Sequence, residues 1–570
     1  MQKPANLIYG IDEKPPLFTN IALGFQHTIL LLIGSIFPVM IIRSLGIPVS
    51  LRTASSFVSI SMMTSGIITL LQALKKNGIG SGYLCPSISS PTYFSASVQA
   101  ASLGGLPLIF GMSMLFGLLE SLFSRAMRHL RSLFPPEVTG TVVALVGIVV
   151  IPVAVKNLVG IGYDDTRSEL PELLTGLLTL TILVGFNVFS KGKLRLFSAI
   201  AGMMAGYLLA FVFGIFGEDA ASRISQAPLI SIPWIENMRW RFNAAMIIPF
   251  LIASFSSALK ATGDIATCQR INDTQWKRID MKNVSAGVLV DGLGNVIGGM
   301  LGSYGQSTSS SNVGFSLGTG ATSRAIAWST GTILILLSFL PKLANVFLIM
   351  PKPVMGALLI FSVTFMIITG LQMIMSRMLD ARKIFVVGIS LIFGLSVDMV
   401  PQVYAHIHPV IKPLFSSSLS LGAVTVVVMN LLMRIGIKRT VSILIDHQDL
   451  TTEKNFQFTE KQGQLWGARP EIMNKIAFAM TEVTEEIFRH NSRETLIDTK
   501  VSFDEFKLEV IMEYPGEKLN FPSESNPSIN ELTPETSLDA LSGFLISRYC
   551  DSIKVTGKNN LNQITMLFEH

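Results

Sequence analysis

The sequence predicts an α-helical polytopic membrane protein followed by an α+β cytosolic domain. Of the 570 residues, 49% are hydrophobic and 14% are charged, and the mean hydropathy is +0.52. Soluble chains average about 25% charged residues, so most of this chain is expected in lipid. About fourteen apolar stretches precede residue 440, and two of them are short and polar at matching places. These features predict two inverted repeats of seven transmembrane segments.

Most of the apolar stretches reach the length of about 20 residues that a helix needs to cross a bilayer. They are 18–42, 54–74, 84–100, 105–124, 138–156, 172–190, 196–216, 244–264, 284–302, 308–321, 326–345, 354–373, 383–400 and 418–436. The first one follows a mixed-charge start without a basic n-region or a cleavage site. We therefore expect it to be a span rather than a signal peptide.

Two of the segments are poor spanning helices. Residues 84–100 and 308–321 are rich in Pro, Ser or Gly, and each is third in its block of seven. Interrupted segments at corresponding places are typical of transporters, in which broken helices meet near the midplane and bind substrate. An irregular re-entrant loop without a binding role is the alternative, but it explains one such segment rather than two.

Charge divides the chain. Residues 441–570 contain 12 basic and 21 acidic residues, a net charge of −9, whereas the upstream part has a net charge of +15. The upstream positive charges lie in short loops between apolar stretches, such as those at Lys75, Arg125 and Arg434. By the positive-inside rule this pattern predicts a plasma-membrane protein with both termini in the cytoplasm. It also excludes nucleic acid as the reason for the basic charge.

The three cysteines, Cys85, Cys268 and Cys550, have neither paired nor metal-ligand spacing. We therefore expect no disulfide, metal site or bound cofactor. The C-terminal region shows no nucleophile and base in a catalytic arrangement, so the sequence does not predict an enzyme.

Three stretches carry a resemblance to a known family. LIYGIDEKPP leads into GFQHTILL, which places Gln26 and His27 in the first segment, and 134–154 and 291–302 read FPPEVTGTVVALVGIVVIPVA and DGLGNVIGGMLG. Across residues 7–438 the chain resembles the nucleobase-ascorbate transporters, the uracil and xanthine permeases. The resemblance implies that Gln26 and His27 lie near the substrate, the alternative for His27 being a buried histidine with satisfied hydrogen bonds.

The tenth segment resembles that family's signature of Gln or Glu, Asn-x-Gly, four residues, Thr, and then Ser-Arg. The corresponding residues here are Ser311, Asn312, Gly314, Thr319 and Arg324, so only the leading residue departs. The resemblance implies that Ser311, Asn312 and Gly314 bind substrate. Because a serine hydroxyl is shorter than a Gln or Glu side chain, we expect it to reach the substrate through water or to contact a larger molecule.

The eighth segment departs further, because the family pattern Glu-x-x-Gly-Asp begins here with Lys260 and ends with Asp264. An ionisable residue within a span indicates a functional site. We interpret Lys260 as a substrate ligand suited to an anion or an oxopurine edge, the alternative being a purely structural pair with Asp264. We expect Asp264 or Asp291 to carry the proton or sodium step, the alternative being that Lys260 itself exchanges the proton. The resemblance further implies that Tyr93 stacks on the base, packing being the alternative for this ring.

The family architecture implies a core domain of about 16–135 and 244–345 and a gate domain of about 136–243 and 346–440. Substrate is then expected at their junction, where movement of the core against the gate gives alternating access. The family also implies a homodimer that forms through the gate.

Residues 441–570 are expected to form an acidic cytosolic α+β domain. Residues 471–490 have helical apolar spacing, and 497–513 and 551–569 alternate as strands do. Their order resembles the ATP-binding fold of histidine kinases and anti-sigma-factor kinases, with Glu482, Glu486 and His490 on the first helix. Glu486 replaces that fold's metal-binding Asn and the glycine-rich lid is missing, so we do not expect nucleotide binding. An unrelated α+β domain is the alternative, and in either case the role is regulatory or in assembly.

These observations predict a secondary active transporter, a proton- or sodium-coupled symporter of a purine-like nucleobase such as xanthine or urate, with uracil a further candidate. One alternative keeps the architecture but carries anions, as sulfate permeases do, and Lys260 favours it. Another is a transport-deficient nucleobase sensor that acts through residues 441–570, motivated by the altered positions 260 and 311.

Overall fold

A computed structural model describes most of the chain. The described residues are 3–5, 7–45, 49–76, 78–127, 135–161, 169–190, 198–216, 220–236, 238–274, 276, 279–375, 379–408, 412–415, 417–436, 439–446, 451–466, 468, 470–491, 495–504, 507–519, 546, 549–558 and 561–569. The chain divides into two compact units, Met1–Leu432 and Met433–His570. The first is helical and the second contains a five-stranded sheet.

Helices form most of the first unit. They are α1 (Leu17–Leu32), α2 (Ile36–Ser44), α3 (Leu51–Gln72), α4 (Phe94–Ala126), α5 (Pro136–Leu158), α6 (Leu170–Phe189), α7 (Ser198–Val212), α8 (Ala220–Ser225), α9 (Ile247–Asn272), α10 (Met281–Leu301), α11 (Ser310–Thr319), α12 (Arg324–Ser338), α13 (Pro341–Leu348), α14 (Lys352–Ile374), α15 (Ala381–Met399) and α16 (Ser418–Met433). Within the described ranges, eight helical stretches are long and apolar enough to span a membrane, or nine if α12 and α13, bent by 84°, count as one span. The predicted polytopic helical class is thereby confirmed.

The structure refines several of the predicted segment boundaries. The end of segment 84–100 and segment 105–124 both belong to α4, which is two helices joined at a kink where Gly105 adopts a non-helical φ of 67° just before Pro107. Segment 326–345 is the bent pair α12 and α13. Helices α7 and α16 are apolar but short, at 15 and 16 residues. The count of fourteen spans stays a prediction.

The two polar segments are each part strand and part helix. Strand β1 (Ser87–Ser89) pairs antiparallel with β2 (Gln306–Thr308), with Ser87 opposite Thr308 and Ser89 opposite Gln306. Backbone groups inside a membrane protein must find partners within the protein, and this pairing supplies them where helix is absent. After β2, the Ser309 hydroxyl caps α11 by accepting a hydrogen bond from the Asn312 backbone N–H.

Helices from the two halves of the first unit pack in pairs. Helix α3, the second predicted segment, packs on α12, the eleventh, while α4, the fourth, packs on α10, the ninth. Helix α5, the fifth, packs on α14, the twelfth, as β1 of the third pairs with β2 of the tenth. If every segment number is moved by seven, the pair of segments 2 and 11 becomes the pair of 9 and 4. The pairs of 5 with 12 and of 3 with 10 stay the same, as two repeats of seven segments require.

An N-terminal segment, residues 7–13, lies along the connection between α11 and α12. Ile8 and Tyr9 donate backbone hydrogen bonds to the Gly320 carbonyl, and Thr322 donates to the Tyr9 carbonyl. Arg324 forms an ion pair with Asp12 at 2.5 Å. Gly320 ends α11 with a φ of 66°, a left-handed conformation that glycine adopts without strain. The first residues of the chain are therefore fixed to the end of α11.

The second unit has an antiparallel sheet of five strands in the order β3-β4-β5-β7-β6. Its strands are β3 (Arg439–Ile445), β4 (Ile497–Phe503), β5 (Lys507–Pro515), β6 (Ser552–Lys558) and β7 (Leu561–Glu569), and its helices are α17 (Thr451–Trp466) and α18 (Pro470–His490). The apolar face of α18 is buried with alternate residues of the central strands, among them Ile476, Val501 and Val510. This confirms an α+β C-terminal region.

The spacing of apolar residues correctly predicted some of the helices and strands of this second unit. Helix α18 matches the expected helix 471–490, and the strand-like stretches 497–513 and 551–569 are two hairpins, β4-β5 and β6-β7. Strand β3 and helix α17 were not predicted, since α17 is mostly polar. Residues 520–545, where the lid of the resembled ATP-binding fold belongs, lie outside the described residues, and that resemblance stays a prediction.

The N-terminal segment should loosen at acidic pH. Hydrogen bonds from the Lys3 ammonium, at 2.7 and 2.8 Å, and from the Gly10 backbone N–H lower the pKa of Glu13 below its ordinary value. A carboxylate with a lowered pKa stabilises the fold above its ordinary pKa and loses that effect as the pH falls through the lowered value. We expect faster hydrogen exchange of residues 7–13 below about pH 4. Glu13→Gln should exchange faster at neutral pH and lose the pH dependence; an unchanged dependence in this variant would contradict the assignment.

Truncating the core of the second unit should destabilise it. Ile476 of α18 is fully buried, so Ile476→Ala is expected to cost about 2 to 5 kcal/mol. Lys475→Ala, on the exposed side of the same helix, is the matched control and should change stability by less than about 0.5 kcal/mol. Hydrogen exchange of peptides from 470–490 in the full chain measures both effects, and equal protection in the two variants would argue against the described packing.

Candidate substrate site

A small cavity lies where β1, the start of α2 and the start of α11 meet α9 and α14. The centre of a water molecule can occupy a volume of about 20 Å³ in this cavity. The cavity therefore has room for about one water but not for a planar base. Residues from both predicted domains line it: Ile33, Gly34, Phe37, Ile88, Pro91, Lys260, Ser309, Ser310, Ser311, Leu359, Ser362, Val363 and Met366. The last four belong to α14, so this cavity separates α14 from the other elements.

Lys260 is the cationic residue among those that line this cavity. Its side chain is 1% exposed, and its ammonium forms an ion pair with Asp264 Oδ2 at 3.2 Å, one helical turn along α9. The ammonium also donates to the backbone carbonyl of Thr308, the last residue of β2. The predicted i,i+4 pair is therefore present, and β2 supplies a partner that spacing did not reveal. The third donor of an ammonium can still point to a ligand.

Asp264 and Asp291 approach β2 from two helices. The Thr308 hydroxyl donates to Asp264 Oδ2 at 2.6 Å, whereas Asp264 Oδ1 is buried with no hydrogen-bond partner among the described residues. Asp291 of α10 accepts from the Thr308 backbone N–H at 3.3 Å and from the Ser307 hydroxyl at 3.4 Å. Gln72 of α3 donates to its other oxygen at 3.4 Å. The structure therefore links both predicted carboxylates and Lys260 through Thr308.

The tenth-segment motif is divided between the cavity and the interior. Ser311 lines the cavity, as does its neighbour Ser310. Asn312 is buried instead, and its amide donates to both Nδ1 and the carbonyl of His27 at 3.0 Å. Since His27 Nδ1 accepts, the proton of the neutral ring is assigned to Nε2. Among the described residues that Nε2 has no partner, and neither does the Oε1 atom of buried Gln26.

Gly314 lies one turn further along α11, where a Cβ added to the glycine would meet no atom within 4 Å. Thr319 donates to the Phe315 carbonyl of its own helix, and Arg324 pairs with Asp12 at the N-terminal segment. None of these three residues lines the small cavity. The contacts of Thr319 and Arg324 lie at the end of α11 and the start of α12.

The Tyr93 ring is fully buried and does not line the cavity. Its hydroxyl donates to Glu120 Oε2 at 3.1 Å and accepts from the Asn295 amide at 3.2 Å. Asn295 also connects to Gln306 at the start of β2, through bonds of 2.7 and 3.0 Å. Sequence reasoning missed Glu120, Asn295 and Gln306. Glu120 carried a usable signal, since it is an acidic residue within an apolar stretch.

A second cavity of about 570 Å³ lies between α5, α9, α11 and α14. Arg270 and Trp276 are among its polar and aromatic lining residues, together with Thr139 and Gln372. Met373 lines it and packs on Gly263, where a Cβ would lie 2.5 Å from the Met373 methyl carbon. Met373 therefore packs against α9 at the residue that precedes Asp264.

No group of three or more His, Cys, Asp and Glu side chains in the described ranges is placed to hold a metal ion. The three cysteines are free and buried.

Spanning helices, two interrupted segments paired at β1 and β2, and a cavity between them and α14 define a polytopic membrane transport protein. A family model for permeases, that of the xanthine and uracil permeases, matches residues 18–403. The chain belongs to the nucleobase-ascorbate transporter family.

Individual proteins support the family. A protein of Clostridium perfringens named as a purine permease, CPE0397, is 30% identical over 430 residues, covering 75% of this chain and 93% of its own length. The xanthine permease XanP of Escherichia coli is 25% identical and covers 75% of this chain and 95% of its own length. The transmembrane domain of the cyanobacterial bicarbonate transporter BicA aligns to 74% of this chain and all of its own, at a TM-score of 0.46 and 14% identity. That likeness carries no argument about substrate.

Asn312 should be important for the structure of the site. Asn312→Ala leaves His27 Nδ1 and the His27 carbonyl without their donor, and each unsatisfied buried group costs about 1 to 3 kcal/mol. We expect a clear fall in the apparent melting temperature of the detergent-purified protein. Ser316→Ala is the control, because that hydroxyl donates only to the Asn312 carbonyl within α11. Equal melting temperatures for the two variants would contradict this prediction.

Proposed function

We propose that the chain is a secondary active transporter of a purine-like nucleobase such as xanthine or urate, with uracil a further candidate substrate. Membership of the permease family supports a nucleobase, as do the names of the related purine and xanthine permeases. The proposal includes a plasma-membrane location with both termini cytoplasmic and a homodimer formed through the gate. Proton or sodium symport is the proposed mode of coupling.

The observation that carries the proposal is that Lys260 lines the cavity together with Ser310 and Ser311. These groups lie at the N-terminal end of α11, where the helix dipole is positive. An oxopurine presents carbonyl oxygens and ring nitrogens that accept hydrogen bonds, so an ammonium and two hydroxyls suit its edge. Lys260 thus takes over substrate recognition from the family's glutamate and favours an acceptor-rich base.

Transport requires the site to open. With space for about one water between α14 and the opposing elements, a base enters only when α14 separates from them. Core-against-gate movement supplies that opening in the proposal. Stacking by Tyr93 belongs to the same proposal and requires its ring to become exposed in the open state. Asp264 and Asp291 are the proposed coupling carboxylates, since both are buried and both contact β2.

An anion transporter is the second candidate function, and the same lysine in the lining of the cavity favours it. A sulfate or oxalate ion would find one positive side chain, two hydroxyls and a helix N-terminus. A transport-deficient sensor that acts through the second unit is a third.

Ligand-dependent melting of the purified protein separates these candidates. We expect stabilisation by xanthine or urate, because a ligand that binds only the folded state raises the apparent melting temperature by mass action. Uracil, hypoxanthine, guanine, adenine, sulfate and oxalate complete the panel. Lys260→Glu should lose or redirect the response, whereas Lys282→Glu, the same charge change on the exposed start of α10, should keep it.

Stabilisation by sulfate or oxalate alone would replace the nucleobase proposal with the anion alternative. Proteoliposomes then test transport itself: a base that stabilises the protein but shows no saturable, gradient-driven uptake would favour the sensor.

A further inference from the structure

The ammonium of Lys260 is bound by oxygen atoms. Around its ammonium are Asp264 Oδ2 and the Thr308 carbonyl, and the Thr308 hydroxyl binds the same carboxylate oxygen at 2.6 Å. Carboxylates and the carbonyls of interrupted segments are the groups that bind sodium ions in transporters with inverted repeats. The amino group therefore lies where such ligands converge.

The second oxygen of Asp264 strengthens this point. Asp264 Oδ1 is buried and has no hydrogen-bond partner within the described ranges. An unsatisfied buried oxygen is costly, so this side of the carboxylate is suited to one more positively polarised group. Without the ammonium, Asp264 Oδ2 and the Thr308 carbonyl would lose the cation that they share, and Asp264 Oδ1, which has no partner among the described residues, would be a further ligand for an ion.

Asp291 does not offer an equivalent site. Its described partners are the Gln72 amide, the Ser307 hydroxyl and the Thr308 backbone N–H, all of which donate hydrogen bonds to its carboxylate. Donors aimed at a carboxylate satisfy its charge and disfavour a metal cation beside it. Of the two carboxylates, the one arranged for a cation is Asp264.

We propose that Lys260 is a tethered cation that fills the coupling-ion position at Asp264 and Thr308, so that this chain neither binds nor uses sodium. An ammonium and a sodium ion would compete for the same oxygens, and the ammonium cannot leave. The effect on transport rests on the proposed nucleobase transport, and it leaves the proton as the coupling ion; ion binding itself is independent of that proposal.

Replacing the lysine should create a sodium site. In Lys260→Ala the apparent melting temperature should rise by about 2 °C or more between 0 and 150 mM NaCl, with choline chloride holding ionic strength constant. The unaltered protein and Lys260→Arg, which keeps a cation, should show no sodium-specific rise. Adding Asp264→Asn to Lys260→Ala should abolish the response, because it removes the carboxylate that binds the ion.

A sodium-specific rise in the unaltered protein, or none in folded Lys260→Ala, would overturn the proposal. If Lys260→Ala does not fold, equilibrium binding of radioactive sodium to the unaltered protein decides, and saturable binding would refute the tethered cation. Base uptake in proteoliposomes should be unchanged when choline replaces sodium. If no nucleobase stabilises the protein, the sodium-binding tests can still be carried out. The proposal of a tethered cation is therefore tested separately from the proposal of nucleobase transport.

Discussion

Pairing of β1 with β2 is the constraint on which the rest of the first unit depends. Two segments leave helical conformation among the spanning helices, and their backbone groups need partners that lipid cannot supply. The antiparallel pairing meets that need and holds the beginnings of both helical parts at fixed positions. It also presents Thr308, whose carbonyl, N–H and hydroxyl contact Lys260, Asp291 and Asp264. One strand residue therefore connects three ionisable groups from two helices.

The buried ion pair explains how the site tolerates a lysine where the family has a glutamate. A lone buried ammonium is strongly unfavourable, but Asp264 compensates its charge and the Thr308 carbonyl accepts one of its protons. Removing either partner would leave an uncompensated group, so substitution at position 260 changes the requirements at positions 264 and 308. In the proposed transporter, recognition of substrate and stability of the site are therefore coupled at Lys260.

Sequence predicted what depends on local pattern. Apolar length located the helices, and the i,i+4 spacing of Lys260 and Asp264 predicted their contact. Three-residue strands have no periodicity to detect, so the β1-β2 pairing and the role of Thr308 could not be predicted. The direction of the Tyr93 ring depends on Glu120 and Asn295, which are distant in sequence. Helix α17 escaped prediction because it is mostly polar, while strongly amphipathic α18 was evident.

The N-terminal segment has a mechanical consequence. Because residues 7–13 bond to the connection between α11 and α12 and lead directly into α1, the two ends of this segment are tied to the same set of helices. If α1, α11 and α12 move relative to α14, the N-terminal segment must move with them. A fluorophore attached near Ala5 would report the position of the interrupted helices without being placed among them.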